Sequence, residues 1–177
     1  MHTKLGEHLR FYRDSIAASY SQMLFSNSSW LAVFVILASF IDPFTGLSGL
    51  ICTFATIIFA QLLGLNPLTI KSGTYGYNSL LVGLAMGVFF KLSAPFIVML
   101  ILAAFLTLIL TVSFASLVTT YKVPFLSLPF IISIWLLLLS SRSLGALQLS
   151  ERSIYSCLLY TSPSPRDRTR SRMPSSA

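Results

Sequence analysis

Val123-Pro124-Phe125-Leu126-Ser127-Leu128-Pro129-Phe130 sets two prolines five positions apart around a hydroxyl, inside an apolar stretch. Proline has no backbone N–H, and within a helix it leaves an upstream carbonyl unpaired. Those carbonyls and the Ser127 hydroxyl could offer acceptors to a small polar solute. The plainer reading of the same residues is a kinked helix whose freed carbonyls are taken up by its neighbours. Other chemistry is thinly supplied. Asp42 is the one acidic residue between Asp14 and Glu151, and it stands beside Pro43 at the end of an apolar run. Enzymes and ion-coupled transporters embedded in a membrane use ionisable residues inside their spans, so both classes fit poorly. Cys52 and Cys157 suggest neither a disulfide framework nor a metal site, and no cofactor is expected. His2 and His8 precede the apolar region and carry no assigned role.

The elements that must position these residues are apolar to a degree that decides their solvent. The chain has 177 residues, 55% hydrophobic and 10% charged, whereas a soluble domain has about 45–50% apolar and about 25% charged residues. From Ser15 to Leu149 the only charges are Asp42, Lys71, Lys91, Lys122 and Arg142. One small soluble core cannot bury so much apolar surface and still keep a polar exterior. The bilayer is the expected partner and solvent. The formal charge of +7 does not imply nucleic acid, because Arg166, Arg168, Arg170 and Arg172 against Asp167 concentrate much of it at the very end. No signal peptide is evident in the charged first fourteen residues. Lys4, Arg10 and Arg13 favour a cytoplasmic amino terminus.

Turn signals divide the apolar runs. A moderately apolar, helical segment over 8–26 comes first, then Trp30–Ile41 up to Asp42-Pro43, then Leu47–Leu65 up to Asn66-Pro67. A polar, glycine-rich stretch from Lys71 to Asn78 leads into Ser79–Phe90, which is too short to cross a hydrocarbon core of about 30 Å. Pro95–Val118 is the longest clean run, and Pro124–Leu139 follows. A short apolar helix behind a Gly-rich stretch is a pointer to a transport pathway. Polarity alone suits a surface loop there equally well.

After Ser156 the composition changes. Residues 157–177 are rich in Ser, Pro and Arg and lack any apolar period. Cys157–Asp167 resembles one reading frame of a transposase-type sequencing adapter, and Ser171–Ala177 resembles the far end of the same library construction. The division expected is 1–14 as a cytoplasmic segment, 15–156 as the membrane portion of a truncated protein, and 157–177 as a non-native tail.

Three stretches in order carry a family resemblance. Val123–Phe130 resembles the urea-transporter signature Leu-Pro-x-x-Thr-x-Pro-Phe, with Val123 for Leu and Ser127 for Thr, and retains Pro124, Pro129 and Phe130. Gly76-Tyr77-Asn78-Ser79-Leu80-Leu81-Val82-Gly83 is similar to the family's Gly-[Tyr/Phe]-Asn-x-x-Leu-Val-Gly, and Ser21-Gln22-x-x-Phe25 to its first-helix Gln-x-x-Phe. The resemblance implies an all-α polytopic membrane protein. Its fold would be one five-helix repeat with a short re-entrant pore helix, taken from a two-repeat inverted urea-channel fold assembled as a homotrimer. It further implies a passive channel for urea, with ammonia or short amides as other candidate solutes. The expected place is the plasma membrane, multi-pass, in a bacterium the inner membrane.

Carried across by position, Gln22 and Ser127 would supply oxygens along the pore. Phe25 and Tyr77 would form the flat walls of a slot, with Leu81 on the same lining. Urea is planar and neutral, so aromatic faces can sandwich it while acceptors take its N–H groups. A narrow apolar slot lacks the converging oxygens that replace an ion's hydration shell. Ser127 loses the methyl of Thr, and Tyr77 adds a hydroxyl where a Phe would present a bare ring. With 14 Phe and 7 Tyr in the chain, most rings must face lipid or pack helices. The remaining alternatives are part of another small-neutral-solute transporter, or a membrane scaffold or enzyme subunit without its own pore. One repeat would hold half a pore, so no urea flux is expected from this chain alone.

Overall fold

The computed structural model describes residues 2–26, 28–121 and 127–144. Among them the chain forms helices joined by turns, as the apolar runs predict. These are α1 (His2–Gln22), α2 (Ser29–Ser39), α3 (Pro43–Leu62), α4 (Pro67–Lys71), α5 (Gly76–Phe89), α6 (Ala94–Tyr121) and α7 (Leu128–Leu144). Val123 and Pro124 lie outside the described residues, as do the expected boundary at 156 and the whole of 157–177.

Helix ends follow local chemistry, and this is where they depart from the apolar runs. α3 starts at Pro43, four residues before the run at Leu47, because Asp42 caps it. The Asp42 carboxylate accepts from the Phe44 N–H at 3.3 Å and from the Thr45 hydroxyl at 2.8 Å, and Pro43 occupies a first-turn position that needs no N–H. α4 uses the same device, with Asn66 Oδ1 accepting from the Leu68 N–H at 2.9 Å ahead of Pro67. α5 starts at Gly76, so half of the polar stretch read from the sequence is helical and only Ser72–Tyr75 is turn. Gly73 makes this turn possible at φ +78°, where a Cβ would stand 2.5 Å from the Ala18 carbonyl carbon and the Ser19 nitrogen. An L side chain would be strained there and would collide with α1.

Two helices, Pro43–Leu62 and the Ala94–Leu117 part of α6, are long and apolar enough to cross a membrane. α5, at 14 residues, is about 21 Å long and falls short of a full crossing. The centre of the molecule is the contact of α3 with α5; α6 and α1 pack on both of these helices and α7 on α5. Small residues make that contact close. A Cβ on Gly83 would lie 2.6 Å from Cys52 Cβ and 2.8 Å from Gly49 Cα, and one on Gly87 would meet Ser48 and Thr45. Such small-residue seams let membrane helices approach backbone to backbone. The Ser48 hydroxyl donates across the seam to the Gly83 carbonyl at 2.8 Å. Thr53 and Thr56 donate to carbonyls one turn back in α3, at 2.8 and 2.9 Å, which satisfies hydroxyls that would be orphaned in a buried seam. Thr107 of α6 and Ser133 of α7 close a second polar link at 3.1 Å.

Candidate functional site

The candidate residues sit at three element boundaries. Gln22 is the last residue of α1 and is half-buried. The chain then reverses in a turn in which the Phe25 N–H donates to the Gln22 carbonyl at 2.9 Å. Phe25 is therefore held directly against the end of α1, with a left-handed backbone at φ +54°. That region is unfavourable for a bulky side chain, and such outliers gather at functional positions. Its ring is 66% exposed, so the wall it would form has no opposite face within the described residues.

Tyr77 is the second residue of α5 and is buried. Leu81, one turn further along the same helix face, is half-buried. Ser127 occupies the turn ahead of α7, half-buried, and its carbonyl accepts from the Ile131 N–H at 3.1 Å. Pro129 is buried, and Phe130 packs on the core cluster formed by Phe96, Leu100, Ala103 and Ile134. That packing ties the described end of the proline motif to the bundle centre.

α1 and α5 are brought together by the turn at Gly73 and by Gly76. A Cβ at Gly76 would collide with the Ser19 hydroxyl and would lie 3.4 Å from Thr53 Cγ2. Gln22 is one turn beyond Ser19, and Tyr77 is the residue after Gly76, so the end of α1 and the start of α5 share one end of a close contact. α7 also packs on α5. α5 thus touches both α1, which ends at Gln22, and α7, which Ser127 precedes.

The residue that sequence reasoning passed over is Asn78. It appears in the glycine-rich motif, yet no role follows from the motif for it. In the structure it is fully buried, and neither Oδ1 nor Nδ2 has a hydrogen-bond partner. The neighbouring Tyr77 side chain does not reach hydrogen-bonding geometry with either of its atoms. The Ser79 hydroxyl beside it and the Ser15 hydroxyl in α1 are likewise buried and unpartnered. Leaving a buried amide unpaired costs about 1–3 kcal/mol per group. The two N–H donors and one acceptor of Asn78 are thus left unused at the start of a short helix. The signal in the sequence is a run of polar residues, Asn78-Ser79, in the first turn of an otherwise apolar helix.

No group of three or more His, Cys, Asp or Glu side chains that could hold a metal ion occurs among the described residues. Against known families, the urea transporter family model matches residues 13–170.

Proposed function

The chain belongs to the urea transporter family, and from this membership we propose that it builds one repeat of a passive, multi-pass urea channel. Its family is one of transporters and not of enzymes, and its apolar helices fit a membrane protein. The observation that carries the reading is the match across 13–170, which takes in all three motifs. In this reading α5 is the short re-entrant pore helix, and α1, α2, α3, α6 and α7 are the five other helices of the repeat, of which α2, at 11 residues, is shorter than α5. A second, inverted repeat supplies the ring that faces Phe25, and three such protomers assemble in the plasma membrane, the inner membrane in a bacterium.

Urea moves down its gradient with no energy coupling. Gln22 and Ser127 accept its N–H groups at different depths, and Tyr77 with Leu81 keeps the passage flat and narrow. Asn78 adds what these lack, an amide that donates to the urea oxygen and accepts from its nitrogen. Each hydrogen bond surrendered to the next partner keeps the solute solvated without a deep well, which is the condition for fast passage. A hydrated cation would find too few oxygens to replace its shell.

Stopped-flow light scattering of proteoliposomes under a urea gradient tests the reading. Vesicles with this chain alone are expected to match empty vesicles. Those with the reading frame carried past Ser156 into a second repeat are expected to equilibrate urea much faster. Fast flux through this chain alone overturns the half-pore arrangement, and no flux through the two-repeat protein overturns the assignment of urea.

A further inference from the structure

Away from the α1–α5 contact, the other end of α1 forms a cleft of about 720 Å³ against the end of α3 and α4. Two carboxylates and two cations line it. Glu7, Arg10 and Asp14 stand on one face of α1, at spacings of three and four residues, and Lys71 on the last turn of α4. Lys71 Nζ stands 5.5 Å from the centre of the Phe11 ring, which also lines the cleft. Asp14 is engaged by Arg13 through Oδ1 at 2.8 Å, with both contacts ending on that one oxygen. The wall is fixed by the Tyr12 hydroxyl, which donates to Gln61 Oε1 at 2.6 Å and so ties α1 to α3.

The position of the cleft identifies the kind of ligand. Among the described residues α3 is one of two helices long and apolar enough to cross a bilayer, and the cleft opens where α3 ends. A free polar solute would be expected in a cleft surrounded by polar surface. Here Leu62, Leu63 and Leu68, sequence neighbours of the lining residues Gln61, Gly64 and Pro67, are all exposed. A polar cleft continuous with exposed leucines suits an amphiphile lying at the boundary of the hydrocarbon. We propose that this cleft holds the phosphoethanolamine headgroup of a membrane phospholipid. The phosphate lies between Arg10 and Lys71, the ammonium between Glu7 and Asp14, and the acyl chains run down over Leu62, Leu63 and Leu68. Two cations on a phosphate are a standard charge-assisted pair. A primary ammonium has three N–H donors for the two carboxylates, whereas a choline group has none. The volume lies within the range of small-molecule sites, about 300–1,000 Å³. A bound lipid would bridge α1 to α4 at the opposite end of α1 from Gln22, and so hold the helix that carries it.

Native mass spectrometry of the full chain tests the proposal. The chain is released from micelles holding equal amounts of phosphatidylethanolamine, phosphatidylcholine and phosphatidylglycerol. Phosphatidylethanolamine is expected to be retained about fivefold over either of the others. Arg10→Gln with Lys71→Gln should remove most retention of every phospholipid. Glu7→Gln with Asp14→Asn should turn the preference toward phosphatidylglycerol, a shift that a merely structural role for these carboxylates does not produce. Circular dichroism should show unchanged helicity, since all four side chains are exposed. Equal retention of the three lipids overturns the proposal, as does an unaltered preference in either pair of variants. Displacement of the lipid by soluble phosphoethanolamine at equal concentration also overturns it, by assigning the cleft to a free zwitterion.

Discussion

α2 and α3 are both strongly apolar, adjacent in sequence and joined by a short turn, yet they use their side chains in opposite ways. α2 turns Trp30, Val33, Phe34 and Leu37 outward, and little of it beyond Ala32 is buried. α3 also exposes large residues, Leu47, Ile51, Phe54 and Leu62, although Ile57 is buried. What separates the two is the opposite face of α3, where Thr45, Ser48, Gly49, Cys52 and Thr53 line the seam with α5. In a water-soluble protein the large apolar residues would be the ones inside. In lipid the outside is as apolar as leucine, and helices associate through close packing and small polar groups instead. Hydropathy alone does not distinguish α2 from α3. The distribution of small residues does, and it marks the helix that holds the site in place.

The comparison can be broken at the seam or at the sheath. Gly83→Leu should have the largest effect, because its side chain must enter space held by Cys52 and by the Ser48 and Gly49 backbone. A loss of about 3 kcal/mol or failure to fold is expected, read as the unfolding midpoint in detergent. Gly73→Ala should follow, at about 1–3 kcal/mol, since it forces a left-handed backbone and a clash with α1. Ser48→Ala removes one bond across the seam, for which about 0.6 kcal/mol is expected. Leu37→Ala on the exposed face of α2 should change stability by no more than about 0.5 kcal/mol in the same assay. If the α2 variant proves as damaging as Gly83→Leu, the distinction between sheath and seam fails.

Much of this was legible in the residues. Each apolar run became a helix, because nothing in lipid can satisfy a backbone except its own helix. The turn signals at Asp42-Pro43 and Asn66-Pro67 fell where chains bend, but they act as caps, so the helices begin at the prolines and not at the first long apolar stretch. α4, of five residues, is hidden in a sequence that reads as the close of one run and the opening of a polar stretch. The pairing of α3 with α5 was not legible, since glycine and serine spacing in each helix gives a face but not its partner. The candidate site was legible only as motif. Tyr77 and Leu81 lie on α5 itself, and Gln22 ends α1, which packs on it. The exposure of Phe25 and the unpaired amide of Asn78 required coordinates, because both are properties of surroundings and not of spacing.

The central claim is that the start of α5 presents hydrogen-bonding groups to a passing solute, and Asn78 is the residue at which it is most exposed to test. Asn78→Leu keeps the branched shape and removes both orphaned polar groups. The measurement is urea permeability of proteoliposomes carrying the two-repeat protein, followed by stopped-flow light scattering beside its unfolding midpoint. The expected result is a fall of about tenfold in urea permeability, the worth of one hydrogen bond to the solute. The midpoint should be unchanged or higher, because removing an unsatisfied buried amide relieves the fold. Undiminished urea permeability with a lowered midpoint would show Asn78 to be a structural residue and contradict the claim.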